Sequence, residues 1–236
     1  MKRINTAKIA WTAAGMLLAI VLGVRCANGG TITIYTNLDS SDGFNTAQGW
    51  VVDGGSVADQ VIANAFTPSE TITLADAQLA LGSILGLSSM SVYLESNVSG
   101  APGTVLASLT QQGTIGGFPG GLVDYTCAAC PVLQAGTEYW LVAQESDPDT
   151  VVAWGWNDIG DISTGNFVYN DAGSISGPWQ VDLGDSRGAF EVQGTATPEP
   201  ATLFLLGTAL IAVSLLRGRL GRALVSNPTR ETPGQK

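Results

Sequence analysis

Between residues 30 and 197 apolar and polar positions alternate in short runs, and each run ends in a cluster of Gly, Asn, Asp or Pro. A period of two sends one face of a strand into a core and the other towards solvent. By this pattern strands are predicted at 31–35, 48–52, 58–66, 71–81, 89–95, 105–109, 122–126, 138–144, 151–156, 167–169 and 189–192. Residues 58–65 fit a short helix equally well. Pro102-Gly103 reads as a turn, with Pro fixing φ and Gly supplying a positive φ at the next position. In the 138–144 run Tyr139 and Leu141 share one face, and Trp140 and Val142 the other. In the 151–156 run Val152, Trp154 and Trp156 share a face opposite the smaller Val151, Ala153 and Gly155. No long 3.6-residue period occurs. The expected fold is all-β, a β-sandwich of jelly-roll type over residues 30–197.

Two longer apolar runs lie outside this region. Lys2, Arg3 and Lys8 precede an uncharged apolar stretch over 10–24, the layout of a secretory signal peptide, assigned to 1–29. At the other end Pro198-Glu199-Pro200 is followed by an apolar run over 201–216 and then by Arg217, Arg219 and Arg222. That run is short against the roughly 20 residues that span a bilayer comfortably. Arginines beside a span stay on the cytoplasmic side. These three parts in this order resemble the PEP-CTERM sorting signal of Gram-negative bacterial surface proteins, over 198–222. The resemblance implies a transmembrane helix that anchors the chain transiently. It also implies recognition of Pro198, Glu199 and Pro200 by an exosortase, an integral-membrane cysteine protease, and delivery to the cell surface or exopolysaccharide matrix of a biofilm. The sequence departs from the family pattern in carrying a further tail, 223–236, expected to be cytoplasmic.

Charge is distributed unevenly. The whole chain has 10 basic and 20 acidic residues. Eighteen of the acids and a single base, Arg187, fall within 30–197. Such a body repels nucleic acid and anionic head groups, which removes both as partners. Its acids are scattered, so an acidic tail is not indicated.

The chain has no histidine. Ser-His-Asp and Cys-His catalysis and histidine metal sites are therefore excluded. Two carboxylates would suffice for glycoside hydrolysis, but nothing selects a pair, and the body is expected not to be an enzyme. Cys127-Ala-Ala-Cys130 follows a strand and lacks the βαβ setting of a redox motif, and a zinc site would need four ligands. A local disulfide in an exported protein is the simplest account. No cofactor is required. Calcium is the one candidate, through oxygens on the turns at Asp39 and Asp42, Asp147 and Asp149, and Asn157, Asp158 and Asp161. Asp and Asn are also ordinary turn formers. Trp154, Trp156 and Trp179 are candidates for a flat sugar-stacking platform, with core packing the alternative use of the same rings.

The body has a resemblance of its own. The stretch Ser91-Val-Tyr-Leu-Glu-Ser-Asn-Val-Ser-Gly-Ala-Pro-Gly-Thr-Val-Leu-Ala-Ser-Leu109, the stretch Ala135-Gly-Thr-Glu-Tyr-Trp-Leu-Val142 and the strand Val152-Ala-Trp-Gly-Trp156 that follows are similar to the "choice-of-anchor" domains, over about 33–192. Those are extracellular β-sandwich modules that occur with varied anchoring tails. The resemblance implies the fold and no functional residues.

Overall fold

The computed structural model describes residues 30–55, 59–145, 147–196 and 207–208. Over 31–196 the alternating runs form thirteen strands: β1 (Thr31–Thr36), β2 (Gly49–Asp53), β3 (Val61–Phe66), β4 (Ile72–Leu85), β5 (Ser91–Val98), β6 (Ala101–Gln112), β7 (Gly121–Thr126), β8 (Val132–Leu133), β9 (Tyr139–Gln144), β10 (Val151–Gly155), β11 (Ile162–Asn170), β12 (Gln180–Ser186) and β13 (Phe190–Ala196). No described part of residues 30–196 is helical, so 59–65 joins the sheet and the helical alternative there is not realised.

Every strand pairing is antiparallel. The pairing path runs β1-β13-β4-β7-β6-β5-β9-β3-β11-β12. β6 is the corner. Its first part pairs with β5 through residues 101–109, and its last residues, 110–112, pair with β7. One layer thus contains β1, β13, β4, β7 and β8. It continues through β10 and β2, which lie along the same edge of β4 as β13. The other layer is β6-β5-β9-β3-β11-β12.

The two layers enclose one main core. Ile34, Val52, Leu79, Leu81, Trp154 and Phe190 from the first meet Ile62, Phe66, Leu94, Leu141 and Phe167 from the second. Aromatic pairs cross the gap: Trp50 stacks on Phe167 at 4.6 Å, and Phe66 meets Phe190 edge-on at 6.3 Å. A second cluster lies on the outer face of the β9-β3-β11 sheet. Val61, Ala63, Ala65, Trp140, Val142 and Val168 are buried there, with Tyr93, Ile175 and Trp179 packed on them. This explains the nearly continuous apolar runs of β3 and β9, which are buried on both faces.

The strands β4, β6 and β11 run longer than their predicted cores, the two-residue β8 was not predicted, and two larger differences concern a turn and an edge strand. The β5–β6 turn is Ser99-Gly100, where φ is 57° and 82°, and Val98 pairs with Ala101. A two-residue hairpin with two positive φ values matches the twist of its strands. Pro102-Gly103 therefore sits inside β6, with Pro102 opposite Asn97. Strand β12 was not anticipated. It is an edge strand whose Val181 and Leu183 face solvent, and its Asp and Gly content disfavours a strand locally. Pairing with β11 imposes it.

Candidate functional site

The tryptophans do not form a platform. Trp154 on β10 is fully buried in the main core, and its Nε1–H donates to Ala189 O at 2.9 Å. It is a core residue and presents no face to a sugar. Trp156, just beyond β10, is half-buried, tilted against Trp50 at 5.6 Å. Trp179 is half-buried on the other sheet's outer cluster, away from both. The period-two face predicted for Val152 and Trp154 is present, and it points inward.

Beside Trp154 lies a buried polar hub built around Arg187. Its guanidinium contacts Asp161 Oδ2 at 2.8 Å and donates to Tyr35 Oη at 2.7 Å and to Ala65 O. The cation also lies 5.8 Å from the ring centres of Tyr35 and Phe190. Three asparagines fix the surrounding backbone. Asn37 bridges Gly188 O and the Phe190 N–H, Asn64 Oδ1 accepts the Gly188 N–H, and Asn157 holds both Asp161 and Arg187 O. Burial raises the Tyr35 hydroxyl to about 12, against the opposing pull of Arg187. This hub joins β1, β3, β13 and the β10–β11 connection. The lone base in an acidic body marks it in the sequence; its bonded partners come from three distant segments.

Of the residues expected as calcium ligands, Asp39, Asp147 and Asn157 act as turn formers. Asp39 Oδ1 accepts the N–H groups of Ser41 and Gly43, which lowers its pKa. Asp147 Oδ1 accepts the Asp149 N–H, and Asn157 Oδ1 the Asp161 N–H. Asp161 is committed to Arg187. Among the described residues no group of three or more His, Cys, Asp or Glu side chains is placed to hold a metal.

Two carboxylates behave differently, and neither stood out in the sequence. Glu95 on β5 is fully buried with no hydrogen-bond partner for either oxygen, and burial raises its carboxyl to about 7. Glu145, at the end of β9, is 6% exposed and its Oε1 has no partner. Burial, with Asp147 adding repulsion, pushes its carboxyl up to about 8. Glu145 lines a cavity of about 150 Å³ between the β4–β5 and β9–β10 connections, with Ser89, Ser91, Gln111 and Asp147 as its polar wall. The only advance signal for Glu145 was its place at the end of an almost wholly buried strand.

Cys127 and Cys130 form a disulfide, with Cα atoms 5.2 Å apart. Pro198, Glu199, Pro200, Arg217, Arg219, Arg222 and the signal peptide lie outside the described residues. Within the C-terminal run, Gly207 and Thr208 are helical. Among the described residues no helix is long and apolar enough to cross a membrane, and the rest of the predicted span lies outside them.

No curated protein sequence matches the chain significantly. A solved structure, the cysteine protease and lectin-like domains of Cwp84, a surface layer associated protein of Clostridium difficile, is similar at 13% identity and a TM-score of 0.38. The match covers 64% of this chain and 36% of that one, a likeness too loose to carry an argument. A more specific match begins where β13 ends. Residues 196–219 match the PEP-CTERM protein-sorting motif, which includes Pro198, Glu199, Pro200, Arg217 and Arg219 and stops short of Arg222, so this chain carries that signal directly after its β-sandwich.

Proposed function

We propose that this chain is a non-catalytic surface protein of a Gram-negative bacterium, exported through the inner membrane and held there transiently by its C-terminal helix. An exosortase then cuts it and leaves it in the exopolysaccharide matrix. The sorting motif at 196–219 carries this reading. Its position supports cleavage that spares the fold, because the last strand ends at Ala196. The body suits a hydrated polysaccharide layer, since eighteen acids against one base within 30–197 keep it soluble and repel other anionic surfaces. The choice-of-anchor type of module fits the body as well, for the stretches that resemble it fall on the β5–β6 hairpin, on β9 with the turn before it and on β10.

The lack of histidine supports a non-catalytic role. So does the cavity beside Glu145, whose volume of about 150 Å³ falls below the roughly 300–1,000 Å³ of small-molecule sites. A carbohydrate-binding role for the body rests on Trp156 and Trp179 alone, as Trp154 is in the core.

Intact mass of the protein from each cell fraction, with and without the exosortase, tests the proposal. A species truncated near Pro198 outside the inner membrane, seen only when the exosortase is present, is the expected result. A chain that keeps Arg217 and the residues after it in the inner membrane in both strains overturns it.

A further inference from the structure

The body holds a buried carboxyl oxygen that its own residues do not pair. Glu145 is 6% exposed, and its Oε1 finds no donor although it borders a cavity. Leaving a charged oxygen buried and unpaired is costly, so such a group keeps its proton unless a donor or a cation takes the proton's place. Asp147 borders the same cavity and adds a second carboxylate.

Two internal sources of compensation are closed. Arg187 is the one basic side chain within 30–197, and it is bound to Asp161 in the core. Gln111 in the cavity wall has its amide fully used. Its Nε2 donates to Ser88 O and Gly113 O, and its Oε1 accepts from the Met90 N–H and Tyr125 Oη.

The geometry points to a calcium site in this cavity, with Glu145 and Asp147 as its carboxylate ligands. The donor set consists of oxygen. Ser89 and Ser91 line the same cavity as the two carboxylates, and no histidine or thiol lies in the wall. Oxygen-only sets favour a hard cation over zinc or copper. Calcium tolerates six to eight irregular ligands, whereas magnesium demands near-ideal octahedral geometry and releases its water reluctantly.

A volume of about 150 Å³ holds an ion together with several waters at roughly 30 Å³ each. Two carboxylates with water completing the shell place the affinity in the extracellular class, on the order of 0.1–1 mM. The ligands are pre-positioned. Glu145 is fixed by the end of β9, and the Asp147 carboxylate is held by its bond to the Asp149 N–H in the turn closed by the Thr150 N–H and Asp147 O. The ion would tie the end of β9 to the β4–β5 connection.

Thermal unfolding of the full chain in detergent, with EDTA or with 0.1–10 mM calcium chloride, tests the site (concentrations spanning roughly the affinity class above). The acidic surface gathers cations loosely, so the readout is a saturable shift and its loss in variants. The wild type is expected to gain about 4–7 °C, saturating, with a smaller gain from magnesium. Glu145→Gln keeps the shape and removes the charge, and its gain is expected to fall to about 1 °C or less. Asp147→Asn, on a more exposed side chain, is expected to raise the calcium midpoint about tenfold or more. Asp158→Asn, outside the cavity, is expected to leave the shift intact. A wild type without a saturable shift overturns the site. So does a Glu145→Gln protein that responds as the wild type does, or, if that variant fails to fold, an unchanged midpoint in Asp147→Asn.

Discussion

The guanidinium of Arg187 lies 2.8 Å from Asp161 Oδ2 inside the β-sandwich, and its Nη1 is shared between that carboxylate and Tyr35 Oη. The single base of the body is thus spent on architecture. Breaking a buried pair strands the surviving charge, which typically costs about 3–5 kcal/mol. Arg187→Ala and Asp161→Asn are both expected to lower stability by about that much in denaturant titrations. Arg187→Lys is expected to recover only part of the loss, because one ammonium cannot reproduce the fork that reaches Asp161, Tyr35 and Ala65 O. Equal stability of Arg187→Met and wild type would contradict this role.

Gly188 follows directly and is hemmed in on two sides. A Cβ there would fall 2.7 Å from Trp154 Nε1 and 2.9 Å from Asn64 Nδ2. Gly188→Ala must displace the indole and strain its bond to Ala189 O. The expected loss is about 1–3 kcal/mol, read as a lower denaturation midpoint at unchanged slope.

Glu95 sets a pH dependence with a definite sign. Its carboxyl loses the proton near 4.5 in the unfolded chain and near 7 in the folded one. Below 4.5 both states hold the proton, and the group makes no difference. Between 4.5 and 7 only the folded state holds it, so stability falls as pH rises, and above 7 the loss is constant. The expected loss is on the order of 1–3 kcal/mol. Glu95→Gln should flatten this part of the profile in calcium-free buffer. A variant that keeps the wild-type slope from pH 5 to 7 would remove Glu95 as its source.

The tryptophans give a separable test of sugar binding. Trp154→Phe deletes a buried indole and its bond to Ala189 O, with an expected cost of about 2–4 kcal/mol and no specific effect on polysaccharide retention. Trp156→Ala and Trp179→Ala remove half-buried rings. If the body binds exopolysaccharide through these rings, retention on a polysaccharide column falls in one of the two at preserved fold. Retention unchanged in both assigns any matrix association to another surface.

Most of the strands, though not β8 or β12, can be located from the amino-acid pattern, as can the sorting signal and the facing of side chains within each predicted strand. These are local properties: alternation fixes which residues share a face, and the Pro198-Glu199-Pro200 signal is read as a linear string. For that reason β1, β5, β9 and β10 fall close to their predicted places, and Tyr139 and Leu141 point opposite to Trp140 and Val142. Alternation does not say which face meets the other sheet. Only the packing of β10 between β2 and β4 decided that Trp154 goes inward. The β5–β6 turn moved from Pro102-Gly103 to Ser99-Gly100 because register follows cross-strand pairing, which composition does not encode. The roles of Arg187 and Glu145 depend on neighbours from distant parts of the chain. Tyr35, Ala65 and Asp161 converge on the one, while Ser89 and Gln111 wall in the other without partnering it. Burial and charge compensation arise from that convergence, which no single stretch of the chain contains.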